Sequence, residues 1–133
     1  HTGSILGAVS RLRDLGVEPR ELRYLLRSVL VQTLVRTTCP RCGGKGCEHC
    51  GGSGYAGRTV VSECEYFQDY DSVDMLLKAT GESEVRRTWP TMLEDAVQKM
   101  REGQTDLKEL YRVFGAAVDM HLHEEEKAAW PSS

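Results

Sequence analysis

Apolar residues recur at helical spacing through the first part of the chain. Ser4 is a predicted N-cap for a helix over residues 5–15, and Gly16 stands where a left-handed residue ends a helix. Pro19 suits the first turn of a second helix, which we predict over residues 19–36. The apolar stripe of this second helix is formed by Leu22, Leu26, Val29 and Leu30.

The helical pattern stops near residue 38 and resumes near residue 69. A glycine-rich segment over residues 38–57 has almost no large apolar side chain, and a β-type run from Thr59 to Ser62 follows it. This run predicts one or two short strands within residues 58–67. Asp71 is then the predicted N-cap of a helix ending near residue 81.

Three further helices are predicted in the remaining sequence. One begins after residue 81 and is interrupted at Trp89, because a residue before proline avoids the α conformation. Thr91 and Glu94 form a T-x-x-E capping box that opens the next helix, and Gly103 ends it. Thr105 starts the last helix, whose apolar side chains have ideal spacing: Leu107, Leu110, Tyr111, Phe114 and Val118. The predicted fold class is therefore mainly α with a short β segment.

Four cysteines within the glycine-rich segment carry the clearest chemical signal. Cys39, Cys42, Cys47 and Cys50 form two C-x2-C pairs, and two such turns supply the four thiolates of a tetrahedral zinc site. Four protein ligands leave no coordination position for a substrate, so the zinc would be structural. Simple counting leaves about −2 charge on such a site. Nearby cations could offset this charge: Arg36, Arg41, Lys45 and Arg58.

Other roles for the cysteines remain open at this point. Disulfides are chemically possible, but doubled C-x2-C is a metal spacing and the sequence has no signal peptide. A redox C-x2-C usually stands alone at a helix start. His49 could replace one ligand, although a solvated loop position is its simpler role. Cys64, in an apolar stretch, is predicted to be a small buried hydrophobe.

Composition limits the function classes. The 133-residue chain has a formal net charge of −3 with dispersed basic residues, which does not favour nucleic acid as a partner. No apolar run is long enough for membrane insertion, so we expect a soluble, cytoplasmic protein. Gly44 and Lys45 lack the upstream glycine and following hydroxyl residue of a phosphate-binding loop. We expect no enzyme activity from this chain alone.

Taken in order, several segments resemble the C-terminal part of the ATPases that drive type II secretion and type IV pilus assembly. Besides the four cysteines, the similar segments are H-T-G at 1–3, G-A-V-S-R-L at 7–12, D-L-G-V-E-P at 14–19, V-Q-T-L-V-R at 31–36, G-Y-A-G-R-T at 54–59 with Glu63, M-L-E-D at 92–95 and G-Q-T at 103–105. Thr33 stands where the usual motif has an arginine. The similarity extends from residue 1 to about residue 113.

The resemblance implies an organisation. Residues 1–37 would be C-terminal helices of a RecA-like ATPase domain, residues 38–67 the zinc loop with short strands, and residues 68–133 an all-α C-terminal extension. It also implies neighbouring subunits of a hexameric ring and an inner-membrane platform protein as partners. The protein would then be cytoplasmic and peripheral to that membrane, with ATP and magnesium bound only by a longer chain. His1 would correspond to the histidine-box residue near the nucleotide.

A protein-binding module is the competing interpretation. Residues 39–46 and 47–54 both fit C-x-x-C-x-G-x-G, which resembles the repeat of the cysteine-rich domain in J-domain chaperones. That domain uses four repeats to hold two metals, whereas two repeats suit one metal. The flanking helices also have no counterpart in that domain, and short metal motifs recur by convergence.

Overall fold

The computed structural model describes residues 3–81, 85 and 87–129. Within them the structure has six α-helices and one two-stranded sheet, so the chain is mainly α, as predicted. The elements in order are α1 (Ile5–Asp14), α2 (Pro19–Leu25), β1 (Ser28–Thr38), a 3₁₀ turn (Glu48–Cys50), β2 (Tyr55–Tyr66), α3 (Tyr70–Lys78), α4 (Met92–Arg101), α5 (Leu107–Phe114) and α6 (Ala117–Ala129).

The start of the chain follows its local signals. The side-chain oxygen of Ser4 accepts a hydrogen bond from the backbone N–H of Gly7 at 3.0 Å, which caps α1 as predicted. Gly16 has φ of +92°, and the backbone N–H of Val17 donates to the carbonyl of Leu12. This is the left-handed helix ending that the glycine predicted.

The predicted second helix over residues 19–36 is wrong beyond Leu25. The chain leaves the helix at Leu26 and forms β1, in which burial alternates: Val31 and Val35 are buried, whereas Leu34 is 48% exposed. A strand with β-branched residues at alternate positions packs one face well. The same apolar residues also fit a helical stripe, and only pairing with β2 decides between the two.

The sheet is an antiparallel hairpin with one irregularity. The backbone N–H of Cys39 donates to the carbonyl of Gly54 at 2.8 Å, and that of Phe67 donates to Arg27 at 2.7 Å. Between these two hydrogen bonds the second strand has one residue more than the first. Gly57, with φ of +92° inside β2, is where the left-handed conformation of a β-bulge occurs. The predicted β segment is thus one strand that begins at Tyr55.

The C-terminal helices match the prediction with shifted boundaries. Asp69, rather than Asp71, caps α3, because its carboxylate accepts from the backbone N–H of Ser72 at 2.9 Å. The capping box of Thr91 and Glu94 is confirmed by reciprocal hydrogen bonds of 2.7 and 3.1 Å. The helix predicted after residue 81 falls partly on residues 82–84 and 86, outside the described residues, and partly on residues 85 and 87–89, which are not helical.

The last predicted helix is two helices. Its N-cap is Asp106, whose carboxylate accepts from the backbone N–H of Glu109 at 2.9 Å. Gly115, at φ of +60°, ends α5, and α6 starts at Ala117. The periodic apolar positions on both sides of Gly115 had predicted one continuous helix, which the left-handed glycine interrupts.

The chain divides into two compact units. The first consists of His1–Thr33 with Ser62–Asp95, and the second of Leu34–Val61 with Ala96–Ser133. The buried apolar residues of the first unit are Ile5, Val9, Leu22, Val31, Phe67, Val73, Leu76 and Met92. Those of the second unit are Val35, Cys39, Val61, Ala96, Val97, Leu110 and Val118.

A buried carboxylate positions the Trp89-Pro90 segment in the first unit. Glu63 is only 6% exposed, and its carboxylate accepts from the indole N–H of Trp89 at 2.7 Å and the backbone N–H of Met92 at 3.2 Å. Both bonds compensate the desolvation of the carboxylate. They anchor the segment that leads into α4 at Met92.

Candidate metal centre

The four cysteines converge at the end of the hairpin, as the C-x2-C spacing predicted. Cys39 directly follows β1 and is fully buried, whereas Cys42, Cys47 and Cys50 are partly exposed. All four sulfur atoms lie within 4.8 Å of one another. A tetrahedral zinc with bonds of about 2.3 Å places its sulfurs about 3.8 Å apart.

Three of the sulfur–sulfur spacings are close to that value. The Sγ–Sγ distance is 3.9 Å between Cys39 and Cys47, 3.8 Å between Cys42 and Cys50, and 3.7 Å between Cys47 and Cys50. Disulfide sulfurs would be about 2.05 Å apart. The four free thiols therefore suit one metal ion far better than two disulfides.

Backbone amides point at the sulfurs. The N–H groups of Gly46 and Cys47 lie 3.2 Å from the sulfurs of Cys42 and Cys50, respectively, and the N–H of Gly54 lies 3.3 Å from that of Cys50. The N–H of Cys47, more than that of Gly54, lowers the pKa of the Cys50 thiol to about 6. These donors favour the thiolate form, which is the form that binds zinc.

The glycines of the two C-x-x-C-x-G-x-G repeats have matching conformations. Gly46 has φ of +94° and Gly54, eight residues later, has φ of +81°. Each also donates its N–H to the second cysteine of its own repeat. Residues 39–46 and 47–54 are thus two matched turns around one centre.

Close packing between the turns excludes side chains at two glycines. A Cβ at Gly46 would lie 2.7 Å from the carbonyl oxygen of Gly52, and one at Gly54 would lie 2.4 Å from that of Gly44. The contacts are reciprocal between the repeats. Both are backbone contacts below 3.0 Å, so a larger residue would push the two turns, and hence their sulfurs, apart.

Other sequence-predicted residues lie elsewhere. The metal-competent cluster contains no histidine among the described residues, so His49 keeps its simpler role as a loop residue. Cys64 was predicted to be buried, which is wrong: it is exposed because it occupies a solvent-facing position of β2. His1, the predicted nucleotide-side residue, lies outside the described residues.

A buried ion-pair cluster adjoins the same strand, and the sequence analysis missed it. Glu109 is 0% exposed, and its carboxylate binds the Nε of Arg36 at 2.8 Å and the Nη2 of Arg112 at 2.6 Å. It also accepts from the backbone N–H of Arg36 at 2.8 Å. Arg112, and then Arg36, lower the pKa of Glu109 to about 2 despite its burial. We call these three residues the Glu109 cluster.

The ends of the loop are attached to the segment before α5. The phenol of Tyr55 donates to the carboxylate of Asp106 at 2.7 Å, and burial with this bond raises the pKa of Tyr55 to about 12. The backbone N–H of Thr38 donates to the carbonyl of Gln104 at 3.0 Å, and the hydroxyl of Thr105 donates to that of Arg36 at 2.8 Å. The loop therefore has a fixed base even though its interior has no apolar core.

A signal for the Glu109 cluster was present in the sequence. Glu109 and Arg112 are three residues apart on a helix, a spacing that brings their side chains together. The contact between Glu109 and Arg36 of β1 could not be predicted from the sequence, because residues 26–36 were predicted to be helical. Arg36, proposed to offset the thiolate charge, is bound by Glu109 instead.

Within the part of the chain that the structure describes, no helix has the length and apolar character needed to cross a bilayer.

The class of protein follows from comparison with known families. The family model of type II/IV secretion system proteins matches residues 1–112, which is most of the chain. The chain therefore belongs to that family. This confirms the resemblance to secretion ATPases indicated by the ordered motifs and the tetracysteine loop.

Individual relatives support the same assignment. The chain is 33% identical to the type II secretion system protein E of Aeromonas hydrophila and to the type II secretion system ATPase E of Vibrio cholerae, with 85% of this chain and 28% of each relative covered. It is 34% identical to a protein transport protein HofB homolog of Haemophilus influenzae, covering 86% of this chain and 22% of the relative. The chain thus spans less than a third of the length of these relatives.

Proposed function

We propose that this chain is the zinc-containing region of a hexameric ATPase that powers type II protein secretion or type IV pilus assembly. The observation that carries the proposal is a cluster of four cysteine sulfurs, all within 4.8 Å of one another, inside a chain of the type II/IV secretion family. Relatives named as type II secretion proteins, including one named as an ATPase, support the system.

The metal in this proposal is zinc, and its role is structural. Cys39, Cys42, Cys47 and Cys50 would hold it with four thiolates, which leaves no position for a substrate or a reactive water. Zinc supplies only a four-way tether there. The ordered loop would support contacts with neighbouring subunits or with an inner-membrane platform protein.

Nucleotide chemistry belongs to the longer protein in this proposal. Residues 1–37 would end a RecA-like ATPase domain, residues 38–67 form the zinc loop, and residues 68–133 form a helical C-terminal subdomain. ATP and magnesium would bind outside this chain, with His1 near the nucleotide. The assembly would be cytoplasmic, held at the inner membrane through its partners.

The first test is the metal content. Protein purified without added zinc should contain one zinc per chain, and X-ray absorption should show sulfur ligands alone. Cys64→Ser is the matched control, because it removes an exposed cysteine outside the cluster and should leave the zinc content unchanged. A folded sample without metal would refute the zinc assignment, and a nitrogen ligand would implicate His49.

The second test addresses the secretion assignment. In a full-length ATPase carrying this region, Cys42→Ser should impair secretion or pilus assembly while nucleotide affinity is unchanged. Cys64→Ser should support normal export. Normal export by the Cys42→Ser protein would contradict the proposed role of the loop. The chaperone-like alternative is set aside because the family match includes the helices that flank the cysteines.

A further inference from the structure

Three arginines line one cavity in the second compact unit. The cavity is an open depression of about 310 Å³, lined by side chains that are all at least partly exposed: Leu34, Arg36, Arg58 and Arg112. A water molecule in the liquid occupies about 30 Å³. The cavity therefore has room for a small hydrated ion. We call it the arginine cavity.

The charges of this cavity do not balance. Glu109 binds the guanidinium groups of Arg36 and Arg112, and its single negative charge offsets only one of their two positive charges. Arg58 is exposed, and its guanidinium group has no ion pair or hydrogen bond among the described residues. Three cations therefore face one carboxylate, which leaves an excess of about two positive charges on simple counting.

Donors remain available on each arginine. Arg36 and Arg112 use Nε and Nη2 to bind Glu109, so the Nη1 of each has no protein acceptor in the described part of the chain. The guanidinium of Arg36 also lies over the ring of Tyr55, 4.2 Å from its centroid. Glu109 and Tyr55 thus hold donors in place before any ligand arrives, which reduces the entropy cost of binding.

We propose that the arginine cavity is a binding site for a phosphate-type oxyanion. A guanidinium fork matches the oxygen spacing of phosphate, and three forks can contact the several oxygens of a tetrahedral anion. A carboxylate has only two oxygens, and the buried carboxylate of Glu109 already occupies one side of Arg36 and Arg112. This inference goes beyond the proposed secretion function and does not depend on it.

The experiment is a titration of the whole 133-residue chain with inorganic phosphate, followed by the backbone amide NMR signals of residues 34, 36, 58 and 112. At constant ionic strength these signals should shift together and saturate. Arg58→Gln should weaken binding by about tenfold, because a charged hydrogen bond is lost without touching Glu109. Arg20→Gln removes the same charge from an exposed arginine of α2 and should not change the affinity.

Further ligands define the chemistry that is recognised. Pyrophosphate should bind at least as well as phosphate, and ATP no better than pyrophosphate, because the cavity lining offers nothing specific to a base. An acidic peptide that binds more tightly than phosphate would overturn the phosphate assignment. Equal binding by wild type and Arg58→Gln, or shifts that follow ionic strength alone, would overturn the site.

Discussion

The tetracysteine loop and helix α5 belong to the same compact unit but are ordered by different means. Between Cys39 and Gly54 no large apolar side chain is buried, so the loop depends on its sulfur ligands and backbone hydrogen bonds. Helix α5 buries Leu110 completely and adds the paired charge of Glu109. The loop is ordered by four ligands of one metal ion, whereas α5 is ordered by packing contacts distributed along the helix.

This difference determines how each region should fail. Removing one cysteine ligand weakens the binding of the metal ion itself, and with it the order that all four sulfur–metal bonds give to the loop. Removing one residue of α5 deletes a single contribution and leaves the rest of the packing. The loop should therefore respond as a unit, whereas α5 should respond in proportion to the group removed.

The largest effect is expected for Cys42→Ser. Structural zinc contributes on the order of 10 kcal/mol in small zinc-finger peptides, and the loop interior has little else to hold it. Residues 38–57 should lose hydrogen-exchange protection while the helices within residues 71–118 stay protected. Cys64→Ser should keep protection everywhere. Uniform loss through the C-terminal helices would show instead that the zinc centre and the helices unfold as one cooperative unit.

A smaller effect is expected for Glu109→Gln. The substitution removes a buried carboxylate that binds two guanidinium groups, and breaking such a pair costs about 3 kcal/mol. Chemical denaturation should report this loss of stability with zinc still bound. Glu126→Gln, an exposed change on α6, should cost less than about 0.5 kcal/mol. Equal effects would contradict the central role of the cluster.

Lowering the pH should gradually remove the stabilisation that the ionised carboxylate of Glu109 provides. Because Glu109 has its pKa lowered from 4.5 to about 2, its stabilisation is present above pH 4.5 and is lost as the pH falls through 2. The stability difference between wild type and Glu109→Gln should therefore shrink by about 3 kcal/mol over that range. Zinc release in acid affects both proteins and cancels in the comparison. A difference independent of pH would mean that the carboxylate is not ionised.

The smallest effect is expected for alanine substitutions at two glycines of the loop, compared by their zinc affinity. Both Gly43 and Gly54 have positive φ, so alanine at either costs about 1–2 kcal/mol of backbone strain. Only at Gly54 would the new Cβ meet a carbonyl oxygen, at 2.4 Å, whereas at Gly43 nothing lies within 4 Å. Gly54→Ala should therefore weaken zinc binding more than Gly43→Ala in a competition titration with a chelator. Equal affinities would show that the turns can move apart.

The parts of the fold that the sequence predicted are those with local causes. The capping serine, the T-x-x-E box and Gly16 each act on residues within one helical turn. The strand β1 could not be predicted in this way. Leu26, Val29 and Leu30 satisfy a helical spacing, and the strand depends on pairing with residues more than fifteen positions away.

The metal centre was predictable for the same reason, because its ligands lie within twelve residues of sequence. The Glu109 cluster and the arginine cavity join β1 to α5 across about seventy residues. Because β1 was predicted as a helix, neither the Glu109 cluster nor the arginine cavity could be predicted. Cys64 was misplaced because its apolar neighbours gave no indication of which strand face it occupies.

The hydrogen bond between Cys39 and Gly54 joins the metal centre to the pairing of the strands. It is the first hydrogen bond of the hairpin after the loop, and both residues belong to the segment that the sulfurs hold together. A slip of one residue would exchange the faces of Leu34 and Val35, which are 48% and 0% exposed. Metal occupancy thus adds to the contacts of Arg36 and Thr38 that keep Val35 buried and Leu34 on the surface. Zinc therefore stabilises the register of β1 as well as the conformation of the loop.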